Sequence, residues 1–241
     1  MIFLSLDSLW NGEFFYEKVW KTNAIGTKNV IRLQEKYRFK LVHCSSSEVY
    51  GDYEGVMYED ILESTPIAQL NDYAISKRVN EMQIQNSRTQ YGTESVVVRL
   101  FNTYGPGEWF HPFRSVNCLF CYNLLLGKPV TVYKGHTRTS TYIYDAVNGI
   151  ANIADNFQDG MRYNIAGRDH HSIEELAACA LKHTGADEKL VEYVDKLEIL
   201  TTKDKIVDPA HAERDLGMCS SVTLDAGVKN TVEWMKEYYK I

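Results

Sequence analysis

From about residue 14 to residue 36 the apolar positions follow a helical pattern, which predicts one long helix ending before the basic stretch K-Y-R-F-K. A short apolar run, Phe39 to Cys44, then reads as a buried strand. The segment from Gly51 to Leu70 is polar and reads as a loop. The helical pattern resumes from Asp72 to Tyr91 and stops at Gly92, a residue suited to a left-handed C-cap. The β-branched run S-V-V-V-R-L-F, residues 95–101, is the next strand. Strand, helix and strand alternating in this order predict the α/β class with a parallel, doubly wound sheet.

After Pro106 the character changes. Helices near 115–126, 145–156, 173–184 and 225–239 alternate with short strands near 130–133 and 161–165. Ser172 and Glu175 make an S-x-x-E capping box, and Gly185 closes the helix they open. This half reads as a smaller α/β lobe folded over the edge of the sheet, a place from which such lobes supply substrate contacts.

Composition narrows the classes. The 241 residues suffice for one large domain, or a domain with a small lobe, around a substantial core. With 44% hydrophobic and 24% charged residues the chain has the make-up of a soluble globular protein. A net charge of −6 gives no general attraction to nucleic acid or to an anionic membrane. The opening M-I-F-L-S-L-D carries no leading positive charge and is too short for a signal peptide, and no run approaches the ~18 apolar residues of a membrane span. A cytoplasmic location is the expectation. Five cysteines without framework spacing fit reduced thiols. Cys118 and Cys121 form a C-x-x-C inside S-V-N-C-L-F-C-Y-N-L-L-L, which reads as a buried helix; with no second ligand pair they are core cysteines, and no metal site is read.

The chemistry is concentrated in two short segments. In N-D-Y-A-I-S-K, residues 71–77, Tyr73 and Lys77 are four apart at the start of a helix and share a face. Lowering a phenol from its ordinary pKa near 10 to about 7, where it can act as a base, takes roughly 4 kcal/mol of preference for the phenolate. A neighbouring ammonium and the positive end of a helix both act in that direction. The other segment is S-S-S-E-V-Y-G-D, residues 45–52, just after the first buried strand. Hydroxyls at the carboxyl end of a parallel strand face the crevice where ligands bind, so Ser46 is placed to meet Tyr73 there.

These segments, with T-N-A-I-G-T (22–27), R-L-F-N-T-Y-G-P (99–106), G-H-T-R-T-S-T-Y-I (135–143) and K-I-V-D-P-A-H-A-E-R-D-L-G (205–217), give the chain a resemblance to the nucleotide-sugar epimerase/dehydratases, the extended short-chain dehydrogenases. It runs from about Trp10 to the C-terminus. The resemblance implies an NAD-dependent enzyme that transiently oxidises C4 of a nucleotide sugar. Tyr73 would take the C4 hydroxyl proton, Lys77 would hold the nicotinamide ribose and depress the tyrosine pKa, and Ser46 would bond the C4 oxygen. Asn102 matches a position that contacts the sugar-nucleotide diphosphate, and Arg138 one that pairs with a phosphate, where a guanidinium fork suits the geometry. Thr22 and Phe101 match cofactor-contact positions. Glu48 matches the carboxylate that acts at C5 in 4,6-dehydratases and is present in UDP-glucuronate decarboxylases. Ser47 stands where dTDP-glucose dehydratases carry Asp, so dehydration, decarboxylation and epimerisation all stay open. A homodimer through the helices near 14–36 and 72–91 is also implied.

The chain departs from the family pattern at its start. A dinucleotide-binding Rossmann sheet normally opens on a strand, a G-x-G-x-x-G or G-x-x-G-x-x-G loop and a helix, and no such cluster occurs among the 15 glycines. The expectation is therefore a Rossmann-like sheet lacking its first βα units, roughly 60 residues or more. Residues 1–106 would form a partial NAD-binding domain and 107–241 mainly a substrate lobe with returns to the sheet. NAD would bind weakly to such a chain, and the rival reading is a non-catalytic homologue that binds a sugar nucleotide or partners a full-length subunit.

Overall fold

The computed structural model describes residues 2–4, 16–112, 114–196 and 200–241. Residues 14 and 15, where the first helix is predicted to begin, lie outside the described residues, as does Trp10. In chain order, β1 is Ile2–Leu4. Tyr16–Val19, Trp20–Ile25 and Gly26–Tyr37 run on as one helix, α1, whose middle segment is π-wound. β2 is Leu41–Ser46, β3 Val56–Met57, α2 Ile61–Ser64 and α3 Asp72–Tyr91. β4 is Ser95–Leu100, β5 Thr103–Tyr104, α4 Val116–Leu125, β6 Val130–Tyr133 and β7 Thr137–Tyr142. There follow α5 Ile143–Ala151, β8 Arg162–Ile165, β9 Asp169–Ser172 and α6 Ile173–Thr184. The chain ends with β10 Val191–Val194, β11 Ile206–Val207, α7 Ala210–Leu216 and α8 Leu224–Tyr239.

The main sheet is parallel throughout, in the order β1-β2-β4-β8, with Leu41 opposite Ser95 and Val97 opposite Arg162. Because side chains alternate along a strand, β2 and β4 serve two faces at once. Val42, Cys44, Val96 and Val98 pack with Ala146 of α5 and Ala212 and Leu216 of α7. Leu41 and Val97 pack with Ile31 of α1 and Ile84 of α3. Helices thus cover both faces, as a doubly wound sheet requires. The second half builds its own core from α4, α6, α8 and β6, around Phe120, Leu124, Val132, Leu176 and Val232. It also returns β8 to the main sheet.

α3 has the predicted bounds because both ends are written locally. The Asn71 side chain accepts from the Ala74 amide at 2.8 Å, and Gly92 closes the helix with φ +59°. The strand predicted at 39–44 occurs at 41–46. Phe39 and Lys40 precede the first ladder pair, while Ser45 and Ser46 stay in register with Arg99 and Leu100. The polar segment 51–70 holds β3 and the single turn α2, with β3 held by pairing to β11. The helix predicted at 145–156 spans 143–151 with a 3₁₀ turn at Asn152–Ala154. β7, T-R-T-S-T-Y, has no apolar alternation to announce it; it forms because β5 and β9 pair on its two sides.

Candidate active site

The site begins where β2 ends. Ser46 is the last strand residue, and its Oγ accepts from the Glu48 amide at 3.2 Å, folding Ser47–Tyr50 into a 3₁₀ turn. Gly51 leaves that turn with φ +47°, and a Cβ there would lie 2.1 Å from the Ala68 carbonyl oxygen, so glycine is required. The turn carries Glu48 inward, where it is buried and ion-paired with the buried Lys205 ammonium. Burial pushes the Lys205 amine below the usual lysine range, and Glu48 pulls against that shift.

α3 brings the next groups. Tyr73 is half-buried in its first turn. Lys77, one turn on, is buried, donates from Nζ to the Cys44 carbonyl at 2.9 Å, and lies 5.6 Å from the centre of the Tyr73 ring. Asn71, which caps the helix, also donates from Nδ2 to the Leu200 carbonyl at 2.9 Å. Beneath them a polar network fixes α3 to the sheet. Glu81 receives both Nε and Nη2 of Arg99, at 3.0 and 2.8 Å, and the Ser45 hydroxyl at 2.6 Å. Burial opposes ionisation of Glu81, but the Arg99 guanidinium beside it holds its carboxyl down at about 2. Removing one partner of such a buried pair costs about 3–5 kcal/mol.

Asn102 follows β4 with φ +35° and donates from Nδ2 to the Thr139 carbonyl at 3.2 Å. Arg138, on β7, is buried. Its Nη1 donates to the carbonyls of Thr137, Thr202 and Lys203, and its Nη2 to the Thr201 hydroxyl at 3.0 Å.

One cavity of about 690 Å³ gathers these residues. Ser46, Glu48, Tyr73 and Lys205 line it together with Asn102, Thr103 and Arg138, and Val116, Leu119, Phe120, Val130 and Tyr133 form an apolar wall. The volume is within the range of small-molecule sites. The Thr103 hydroxyl is buried and has no hydrogen-bond partner among the described residues. Lys77 stands behind Tyr73 rather than on the wall. Thr22 is half-buried on the π-wound segment, away from the cavity. Phe101 is fully buried against Tyr50, with ring centroids 5.9 Å apart, and does not reach it. Cys118 and Cys121 are both fully buried, and burial pushes the Cys121 thiol up to about 12. Among the described residues no group of three or more His, Cys, Asp or Glu side chains could hold a metal ion. No described helix is long and apolar enough to cross a membrane.

Lys205 and Thr103 are among the cavity residues that sequence reasoning missed, as are Glu108, Arg114 and His136. Lys205 does sit in the K-I-V-D segment that carries the family resemblance, but nothing local to that segment shows that it meets Glu48.

Residues 15–166 match the model of the NAD dependent epimerase/dehydratase family. A dTDP-glucose 4,6-dehydratase of Neisseria meningitidis serogroup B is 28% identical over 246 residues, covering 92% of this chain and 66% of that protein. UDP-glucuronic acid decarboxylase 1 of Xenopus tropicalis is 30% identical over 224 residues, covering 91% of this chain and 52% of its own length. Among solved structures, UDP-glucose 4-epimerase of Thermotoga maritima with UDP-glucose superposes with a TM-score of 0.86 at 25% identity, covering 98% of this chain and 77% of that one. The chain thus spans about two thirds of the Neisseria relative and about half of the Xenopus one.

Proposed function

The chain belongs to the NAD-dependent epimerase/dehydratase family, and from that premise we propose that its cavity takes a nucleotide sugar and modifies it through transient oxidation at C4. The observation that carries this is the convergence of Ser46, Glu48 and Tyr73 with Asn102 and Arg138 on one cavity. The first three form an end suited to proton transfer. The last two form an end suited to a diphosphate.

In this reading Arg138 and Asn102 hold the diphosphate and the apolar wall covers the nucleoside, leaving the sugar at Ser46 and Tyr73. The Ser46 hydroxyl bonds the C4 oxygen while Tyr73 takes the C4 hydroxyl proton, and Lys77 supplies the positive charge behind the phenol. NAD, when bound, supplies the acceptor for the C4 hydrogen. With a ketone at C4 the C5 proton becomes acidic, and the Glu48 carboxylate can remove or return it. That step favours dehydration across C5 and C6, or proton delivery after loss of a C6 carboxylate, over simple inversion at C4.

The fit to NAD is partial. Tyr73 and Lys77 suit the nicotinamide ribose, Lys77 being held beside the phenol by the Cys44 carbonyl. The pyrophosphate of a dinucleotide sits on backbone N–H groups of a glycine-lined helix start, and the 241 residues contain no such loop. Losing three charge-assisted hydrogen bonds, at about 1.5–3 kcal/mol each, weakens binding by roughly 4–9 kcal/mol. That moves a micromolar site to about millimolar or beyond. The present chain is therefore expected to bind a sugar nucleotide better than NAD.

The test is incubation with millimolar NAD and a panel of UDP-, dTDP- and GDP-hexoses and uronic acids, read by mass spectrometry and NMR. Loss of water, loss of carbon dioxide or an isomer of unchanged mass identifies the reaction. Failure of every nucleotide sugar to bind or react would remove the reading.

A further inference from the structure

Lys205 is an expensive residue where it stands. It is 1% exposed, and taking an ammonium out of water costs several kcal/mol that an apolar side chain of similar volume would avoid. Its partner Glu48, 157 positions away in sequence, shares the wall of the cavity with it, so the pair faces the sugar end of the site. The backbone that delivers Lys205 is pinned along its length. The Leu200 carbonyl accepts from Asn71, the Thr202 hydroxyl donates to the Gly51 carbonyl at 2.6 Å, and the Lys205 carbonyl accepts from the Thr139 hydroxyl at 2.8 Å. Just beyond, the Asp208 amide donates to the Met57 carbonyl at 3.2 Å. The ammonium cannot withdraw with its backbone, and the same segment supplies the oxygens that hold Arg138.

We propose that Lys205 is a positioning residue for Glu48, fixing its carboxylate toward C5 of the bound sugar so that proton transfer at C5 depends on the Lys205 charge. The proposal rests on the nucleotide-sugar reading of the cavity. In the step concerned the C5–H bond breaks, the proton passes to the Glu48 carboxylate, and the bonding pair moves toward the C4 ketone as an enolate. The reverse step returns a proton that has exchanged with solvent. No oxidant is consumed, so a preformed 4-keto sugar nucleotide reports on this step without NAD.

The groups that face the Lys205 amine are Glu48, from the turn after β2, and Arg138, from β7. Burial and Arg138 both favour the neutral amine, and Glu48 favours the ammonium. The charged pair is lost as the ammonium gives up its proton, at lower pH than for an ordinary lysine.

The experiment incubates the 241-residue chain in D₂O with UDP- and dTDP-4-keto-6-deoxyglucose, follows loss of the H5 signal by NMR, and measures affinity by calorimetry. The expected result is exchange that falls at alkaline pH in the wild type. In Lys205→Met it should be slower by about 100-fold, the scale of a general base, at an affinity within about threefold. Lys205→Arg should keep most of the exchange and carry it to higher pH, because a guanidinium stays charged. Folded Lys205→Met exchanging within about threefold of wild type would overturn the proposal. So would an alkaline fall unmoved in Lys205→Arg, which decides the matter if the methionine variant does not fold. Failure of the wild type to bind either probe overturns the nucleotide-sugar reading as well, whereas binding with exchange insensitive to residue 205 overturns this inference alone.

Discussion

Tyr73 sits where three separate constraints meet: the start of α3, the Lys77 ammonium 5.6 Å from its ring, and the cavity wall shared with Ser46. If it is the base for the C4 hydroxyl, Tyr73→Phe should lower turnover by about 100-fold or more with little change in sugar-nucleotide affinity. Near-normal turnover in a side-by-side kinetic and calorimetric comparison would remove the assignment. His43 supports a prediction of another kind. It is buried on the α3 face of β2, and neither ring nitrogen has a hydrogen-bond partner among the described residues. Burial first, then the Lys77 charge, lowers its pKa to about 3 from 6.5, with Glu81 opposing. The folded value lies below the unfolded one, so only the unfolded chain takes up this proton between those values, and stability is lost as pH falls through that window. By pH 4 the loss from His43 approaches about 3 kcal/mol, an order-of-magnitude figure. Urea unfolding of wild type should therefore weaken more steeply between pH 6.5 and 4 than that of His43→Leu, and parallel curves would contradict it. That Ser46, Glu48 and Tyr73 share one cavity was foreshadowed by the Tyr73–Lys77 spacing, by the place of Ser46 at a strand end and by the family motif that carries Glu48, while the roles given to them are proposals. Lys205 was not foreshadowed, because its partner lies 157 residues away and only the tertiary fold brings the two together.

The elements that were read correctly are those whose signals are local. α3 is bounded by the Asn71 cap and Gly92, and α6 by the Ser172–Glu175 capping box and Gly185. β7 escaped because its polar side chains are satisfied in place: the Thr141 hydroxyl donates to the Phe101 carbonyl at 2.6 Å, and Thr139 and Arg138 bind the 200–205 segment. No apolar period marks such a strand. The turn that carries Glu48 has a sharper test. Gly51→Ala must place a Cβ 2.1 Å from the Ala68 carbonyl oxygen at positive φ, so a loss of about 1–3 kcal/mol is expected in thermal unfolding. An unchanged midpoint would show that the turn relaxes. α1 and α3 lie side by side and expose Ile25, Leu33, Ile75 and Met82, with Val79 half-buried among them. We propose that this face pairs with its copy in a second subunit. Light scattering at micromolar concentration should give a dimer that Ile75→Glu with Met82→Glu dissociates, and a clean wild-type monomer would count against it.

At the scale of the whole molecule the cavity lies between the carboxyl edge of the main sheet and the second half of the chain. β8 passes back from that half to the sheet, and the segment around residues 200–208 ties the Arg138 end of the cavity to the Glu48 end. The sequence patterning anticipated the sheet and the lobe; the tie depends on pairings such as β3 with β11 that no local period announces. We propose that this cavity is a sugar-nucleotide site whose diphosphate end is Arg138. Calorimetric titration of the purified chain with UDP- and dTDP-hexoses, alongside NAD, tests it most directly. Predicted are binding near the micromolar range for a sugar nucleotide, a loss of about tenfold or more in folded Arg138→Met from one or two charge-assisted hydrogen bonds, and NAD binding at about millimolar or not at all. Sugar-nucleotide affinity indifferent to Arg138, or micromolar NAD with no sugar-nucleotide binding, would contradict the account.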